Sequence, residues 1–252
     1  VSVTLERIVA AGAGATMGWL INSAFHLDFI RLAVPRVPPT GLLQMATVSL
    51  TIGAASGLVA GLTGIAIYAA RGWKVSPSKK LLLGGSALGV IAMALMAIGG
   101  PSAAIGPGGG AVAWADTAAA RGWTLLAIAI LRGAATTAAV AAGGCGGVFV
   151  PFLAIGDLTG RAFVPLVGGS TDLAGAAGSA GGIAGGYRLP LTAVAMSIGV
   201  GGPFIATTTC VATAAIAAVT GFGVTSGLDR LTNKNSASPP PHPVEPADPG
   251  AQ

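Results

Sequence analysis

Residues 143–151 read Gly-Gly-Cys-Gly-Gly-Val-Phe-Val-Pro and form the segment of this chain whose residue types best suggest chemistry. Glycine lets the backbone turn sharply and approach a ligand closely, and a proline near the first helical position costs no hydrogen bond. The amides at such a helix start have no partner within the helix and lie at the positive end of its dipole. This glycine motif therefore predicts an anion-binding site built from backbone amides.

The composition places the motif inside a membrane protein. Of the 252 residues, 53% are hydrophobic and 8% are charged, whereas soluble domains carry roughly 25% charged residues. Three long segments lack Asp, Glu, Lys and Arg, namely residues 37–70, 81–115 and 189–228, and each exceeds the ~20 residues that span a bilayer. We expect an all-α, polytopic fold with tilted and discontinuous helices, since a membrane tolerates a broken helix only inside protein or beside a watery cavity.

The charge pattern points to a lipid bilayer and away from nucleic acid. The net charge is +5, but the basic residues lie between the apolar segments and form no continuous surface stripe. A loop with Arg71, Lys74, Lys79 and Lys80 contains no acidic residue. Positively charged loops stay on the cytoplasmic side of a membrane, so this loop predicts the orientation of the chain.

No residue pattern indicates an enzyme, a metal site or an organic cofactor. The sequence has no catalytic triad, phosphate-binding loop or metal-ligand spacing. Cys145 and Cys210 lie in apolar surroundings, and His26 and His242 are predicted to be loop residues. We expect no cofactor, and the ligand of the glycine motif is expected to be a simple anion.

Apolar segments separated by Gly and Pro predict the elements that position the motif. We expect helices over residues 8–25, 41–70, 81–98, 111–120, 123–141 and 204–220, and a short polar helix near 224–232. Two further helices begin at breaks, one running from Pro151 to about Phe163 and one ending near Ile198. Residues 1–231 are predicted to form one transmembrane region. Residues 232–252 are rich in Pro and Ser and predict a disordered cytoplasmic tail.

Two motifs give the chain a resemblance to a known family. Gly147-Val148-Phe149-Val150-Pro151 resembles the Gly-x-Phe-x-Pro motif of the ClC chloride channels and chloride/proton antiporters. Arg188-Leu189-Pro190-Leu191-Thr192 resembles the family's Arg-x-Pro-Leu-Thr motif. The loop between Gly99 and Gly110 also resembles a family loop, and the likeness extends over about residues 4–230. The chain resembles the C-terminal half of the family's inverted repeat, because the upstream serine and gating-glutamate motifs are not found in it.

The resemblance implies chloride transport across the plasma membrane by a multi-pass homodimer. The implied dimer interface involves helices near residues 4–25 and 190–220. The implied anion-binding residues are Gly146, Gly147, Val148, Phe149, Val150 and Pro151, with amides supplied by Val148 and Phe149. Ser226 stands nearest to the position of the family's pore tyrosine, near the start of the last helix, and Tyr68 and Tyr187 are badly placed in the sequence for that role. The chain is expected to be part of a longer protein, and the choice between channel and antiporter stays open.

Several charged residues and two other functions also stay open at this point. Asp157 and Arg161 are spaced i, i+4 and are expected to form a structural ion pair. Arg188 is expected to be an interface anchor or a positive charge near the anion path, and Arg132 to face a cavity or another helix. The alternative functions are the transport of another small anion such as fluoride on the same architecture, and a truncated membrane protein that transports nothing.

Overall fold

The chain forms eight helices in the part that the structure describes. The computed structural model describes residues 41–117, 120, 122–201 and 208–234, together with Met17. The helices are α1 Leu42–Arg71, α2 Pro77–Ala104, α3 Gly109–Thr117, α4 Trp123–Ala141, α5 Phe149–Val167, α6 Thr171–Tyr187, α7 Pro190–Gly201 and α8 Thr208–Lys234. Within these ranges there is no strand. The helix predicted over 8–25 (Met17 apart) and most of the predicted tail lie outside the described residues.

Five of these helices are long and apolar enough to cross a membrane. They are α1, α2, α4, α5 and the Thr208–Leu231 part of α8. Large apolar side chains on α2 point away from the protein, and Leu82 and Met93 are both mostly exposed. Such a surface suits lipid, because lipid tails are as apolar as these side chains. The predicted all-α, polytopic membrane architecture is confirmed.

One predicted helix is longer in the structure and is broken at a glycine. The helix predicted over 81–98 extends from Pro77 to Ala104, with a break at Gly100, where φ is 67°. Gly100 tolerates this left-handed conformation, and Pro101 has no N–H to give to the helix. The Gly-Gly-Pro segment therefore kinks α2 and does not form a separate loop.

The C-terminal region forms one continuous helix, so the prediction of separate helices over 204–220 and 224–232 is wrong. Gly221 lies within α8 and packs against α1, where a Cβ on Gly57 would collide with the Gly221 backbone. Thr225 reinforces this contact, since its hydroxyl donates to the carbonyl of Gly57 at 3.3 Å and to that of Gly221 at 2.9 Å. The glycine here serves close helix packing and not helix termination.

Helices α5 and α6 pack as antiparallel neighbours with their backbones in close contact. A Cβ added to Gly182 of α6 would lie 2.6 Å from the carbonyl oxygen of Phe152 and 2.7 Å from Cα of Gly156. A Cβ on Gly178 would likewise collide with the carbonyl of Gly156. Because the two helices run in opposite directions, the last residue of α6 lies beside the first turn of α5.

Helix α1 runs parallel to α6 and α8 and packs against both through glycine. A Cβ added to Gly181 would lie 2.8 Å from Cα of Gly53, and one added to Gly185 would lie 2.5 Å from the carbonyl oxygen of Gly57. On the α8 side, a Cβ on Gly53 would lie 2.6 Å from Cα of Ala217. The parallel packing brings the C-terminal ends of α1, α6 and α8 together, next to the N-terminus of α5.

Candidate functional site

The glycine motif leads directly into α5. Val148 is the N-cap residue, Phe149 is the first helical residue and Pro151 is the third. The amide of Phe152 donates to the carbonyl of Val148 at 3.2 Å and closes the first helical turn. The amides of Val148 and Phe149 donate no backbone hydrogen bond to any described residue. The helix start therefore offers free donors at the positive end of its dipole, as predicted for an anion site.

Gly146 and Gly147 border open space in front of this helix start. Neither has a positive φ, and no heavy atom of the described residues lies within 4 Å of a Cβ placed on either glycine. Of the motif glycines, Gly143 alone has a left-handed φ, of 98°. Neither backbone conformation nor crowding by the described residues explains glycine at 146 and 147. Glycine at these two positions would allow a ligand to approach the backbone closely.

A cavity of about 490 Å³ lies beside the first turn of α5. Its volume holds on the order of ten water-sized molecules. We call it the α5 cavity, and it is lined by Gly64, Ile65, Ile67, Tyr68, Arg71, Val148, Phe152, Gly186, Tyr187, Arg188 and Asp229. These residues come from the start of α5 and from the ends of α1, α6 and α8, which the glycine packing brings together.

In the described part of the chain, two arginines and one aspartate line the α5 cavity. Arg188 donates from Nε and Nη2 to the two carboxylate oxygens of Asp229, at 2.6 Å each. Hydrogen bonding to Asp229 raises the pKa of the Arg188 guanidinium, so it stays charged at any working pH. Arg71 lies in the last turn of α1, where a cation also offsets the negative end of the helix dipole.

Arg188 adopts a backbone conformation that favours glycine. Its φ is 60° and its ψ is 33°, and among the described residues it is the only non-glycine with a positive φ. It caps α6 by donating its amide to the carbonyl of Ala184 at 2.9 Å. A left-handed conformation costs a non-glycine residue roughly 1–2 kcal/mol, and residues held in this way concentrate at functional sites.

Three aromatic rings join α5 to α6 beside the cavity. The ring centroid of Tyr187 lies 5.2 Å from that of Phe149 and 5.3 Å from that of Phe152, the second pair being nearly perpendicular. Gly186 makes room for this arrangement, since a Cβ there would lie 2.5 Å from the Phe152 ring. Tyr187 lies beside the glycine motif because α6 ends next to the first turn of α5.

The structure brings some predicted site residues together and leaves others apart. Val148 is buried and lines the α5 cavity. The ring of Phe149 packs against the ring of Tyr187, which also lines the cavity. Gly146 and Gly147 are exposed, Val150 is half-buried and Pro151 is buried. Ser226 is half-buried on α8 and is not among the described residues that line the cavity.

The sequence reading missed the partner of Arg188. Asp229 is 41 residues further along the chain, so no helical spacing joins the two side chains. The available signal was the position of Asp229 near the end of a long apolar segment, where an ionisable residue is expensive and is expected to have a partner.

A second group of charges lies further along α5, and it confirms the predicted ion pair. Nε of Arg161 donates to Asp157 at 2.6 Å, and its Nη1 donates to Asp116 of α3 at 3.0 Å. Asp157 and Arg161 are both buried, whereas the Asp116 side chain is 43% exposed. The cluster ties α5 to α3. Among the described residues, no three His, Cys, Asp or Glu side chains are grouped so as to hold a metal ion.

Arg132, whose surroundings the sequence left open, faces another helix. It is buried in α4 and donates to the carbonyls of Ala103 at 2.6 Å and of Gly106 at 2.5 Å. These carbonyls lie at and just beyond the end of α2, where no further helical turn supplies donors. The contacts assign Arg132 to holding the end of α2 in place.

A comparison with known protein families identifies the family of the chain. The family model described as voltage gated chloride channel matches residues 1–222. The chain belongs to the voltage gated chloride channel family. The predicted resemblance to this family is thereby confirmed, and the matched region includes the glycine motif and Arg188 but ends before Ser226 and Asp229. No curated protein matches the chain, and no solved structure matches it either.

Proposed function

We propose that this member of the voltage gated chloride channel family takes part in chloride transport across a membrane, with chloride bound at the start of α5. The observation that supports this most directly is the pair of free amides at Val148 and Phe149, beside a cavity that Arg71 and Arg188 make positive. Fixed donors at a helix start attract an anion without moving to meet it.

The surroundings of the site suit binding that is strong enough to dehydrate chloride and weak enough to release it. The buried ring of Phe152 and the ring of Tyr187 lower the local polarity, and low polarity strengthens the attraction between an amide dipole and an anion. Backbone amides carry only partial charges, so they hold the anion less tightly than a guanidinium in direct contact with it would. Transport requires this balance between capture and release.

The position of the α5 cavity indicates the side of the membrane from which chloride would enter. Tyr68 and Arg71 lie at the end of α1, where the basic loop with Lys74, Lys79 and Lys80 begins. If that loop faces the cytoplasm, as its charge predicts, the α5 cavity opens toward the cytoplasm. Chloride from the cytoplasm would pass Arg71 and Arg188 before it meets the amides of α5.

Chloride efflux from liposomes that contain the purified chain tests the proposal. We expect efflux above that of empty liposomes once a potassium ionophore prevents charge build-up. A proton gradient driven by a chloride gradient would identify an antiporter, and chloride flux with no proton movement would identify a channel. If fluoride moves and chloride does not, the proposed substrate is wrong. If correctly folded protein moves neither anion, the proposal of transport is wrong.

We also propose that the chain forms a homodimer in the plasma membrane and that α7 contributes to the interface. Leu191 is 87% exposed, and Leu189, directly before α7, is also exposed. Apolar side chains at a helix end suit either lipid or a second copy of the chain. Light scattering on protein in detergent is expected to give the mass of two chains, and a monomer mass would contradict the proposal.

A further inference from the structure

The ion pair between Arg188 and Asp229 lies in the wall of the α5 cavity. We infer that Asp229 is a positioning residue for anion capture, which holds the Arg188 guanidinium at the cavity wall and partly cancels its charge. This inference rests on the proposed function, since it concerns how the same anion path is tuned.

The geometry leaves the guanidinium only partly engaged. Nε and Nη2 of Arg188 donate to Asp229, and Nη1 makes a long contact of 3.5 Å with the carbonyl of Gly186. A guanidinium has five N–H donors, so donors remain for an anion that enters the cavity. The carboxylate competes with that anion for the same positive charge.

Among the described residues, the charged side chains that line the cavity are Arg71, Arg188 and Asp229, and their charges sum to +1. Removing the carboxylate charge doubles the net positive charge of the wall without changing the size of the cavity. Because the Arg188 and Asp229 side chains are 33% and 35% exposed, water screens the pair only in part.

Folding stability alone is a poor reason for this ion pair. Ion pairs that water reaches contribute little to the free energy of unfolding. Arg188 also adopts the left-handed conformation that glycine adopts without strain at a helix C-terminus. An arginine at this position is therefore unfavourable for the backbone, but it places a guanidinium in the wall of the α5 cavity.

A cysteine reporter measures the potential of the cavity without requiring transport. Tyr68 lines the cavity and is exposed. Cys145 is exposed and Cys210 is buried. Tyr68→Cys in a Cys145→Ser background therefore places one accessible thiol in the cavity. The readout is the ratio of the reaction rates with an anionic and a cationic methanethiosulfonate reagent. We expect Asp229→Asn to raise this ratio roughly threefold to tenfold, and Asp229→Ser provides a second variant in case the amide disturbs folding.

Two further variants separate the proposed mechanism from a general charge effect. Asp172→Asn makes the same change in formal charge at the far end of α6, about 24 Å from Arg188 at 1.5 Å per residue, which exceeds the Debye length. It is expected to leave the ratio unchanged. The bidentate pair holds both side chains in the cavity wall. In an Arg188→Gln background the carboxylate is no longer fixed there, so Asp229→Asn is expected to change the ratio much less than in the parent. An equal change in both backgrounds, or no change in either, would overturn the inference.

The chloride dependence of efflux then separates this inference from the proposed function. We expect Asp229→Asn to lower the chloride concentration at half-maximal efflux roughly threefold, with the maximal rate changed less. If the parent transports chloride and neither this concentration nor the reagent ratio responds to Asp229→Asn, the inference fails and the proposed function stands. If the ratio responds as expected but the parent moves no chloride, the proposed function fails and the role of Asp229 in chloride capture fails with it.

Discussion

The ring of Tyr187, the last residue of α6, lies 5.2 Å from the ring of Phe149, the first residue of α5. This contact joins the two sequence motifs of the chain, since Phe149 belongs to the glycine motif and Tyr187 directly precedes Arg188. The close antiparallel packing of α5 on α6 produces it. The free amides of α5 and the guanidinium of Arg188 are thereby placed beside one cavity.

The Tyr187 ring is predicted to matter more than its hydroxyl. Its hydroxyl makes no hydrogen bond to a described residue, so Tyr187→Phe is expected to change the free energy of unfolding by less than about 0.5 kcal/mol. Tyr187→Ala removes two aromatic contacts and is expected to cost about 2–4 kcal/mol. Denaturation in SDS followed by circular dichroism measures both. Equal losses for the two variants would contradict the prediction.

Close packing of α5 on α6 is predicted to be intolerant of a methyl group. In Gly178→Ala the new Cβ would collide with the carbonyl of Gly156, so we expect a loss of about 2 kcal/mol or more in the free energy of unfolding. Gly89→Ala on the exposed face of α2 is the matched control, because nothing lies within 4 Å of its Cβ. The control is expected to be neutral or slightly stabilising. A neutral Gly178→Ala would show that the two helices are further apart.

The buried ion pair of α5 is predicted to be structural. Asp157→Ala leaves Arg161 buried with one partner fewer and is expected to cost about 3 kcal/mol. Asp116→Ala removes the more exposed partner and is expected to cost less than about 1 kcal/mol. Thermal unfolding in detergent compares the two variants. The reverse order of stabilities would mean that Asp116 is the main partner of Arg161.

Cys145 provides a test of access to the helix start. Its thiol is exposed three residues before Val148, whereas Cys210 is buried. We expect an anionic thiol reagent to inhibit chloride efflux by modifying Cys145, and to react more slowly when chloride replaces gluconate at constant ionic strength. Cys145→Ser should be insensitive to the reagent. Inhibition that persists in Cys145→Ser would place the sensitive group elsewhere.

The sequence predicted local features of this fold well and long-range features poorly. The span of α4 and the Asp157–Arg161 pair follow from spacings of a few residues, and the structure contains both. The helix after the glycine motif was also predicted, but it begins at Phe149 and not at Pro151. The continuous α8 was missed because Gly221 looks like a helix terminator. Its role depends on Gly57 of α1, which is far away along the chain.

The α5 cavity shows the same limit at the candidate site. The glycine motif predicts the free amides from local chemistry alone. The charge beside them depends on Arg71, Arg188 and Asp229, which three different helices bring together. Only the packing of α1 on α6 and α8 determines that these side chains meet, and a single sequence carries no direct signal of that packing.

Chloride efflux by Gly147→Ala tests the central claim most directly. A methyl group at this residue meets no atom of the described residues within 4 Å, so the fold and its thermal stability are expected to be unchanged. The methyl group would occupy space in front of the free amides, and we expect efflux to fall at least roughly tenfold relative to the parent. Gly89→Ala, with equally open surroundings on α2, is expected to retain the parental rate. Parental efflux by folded Gly147→Ala would contradict an anion path at the start of α5.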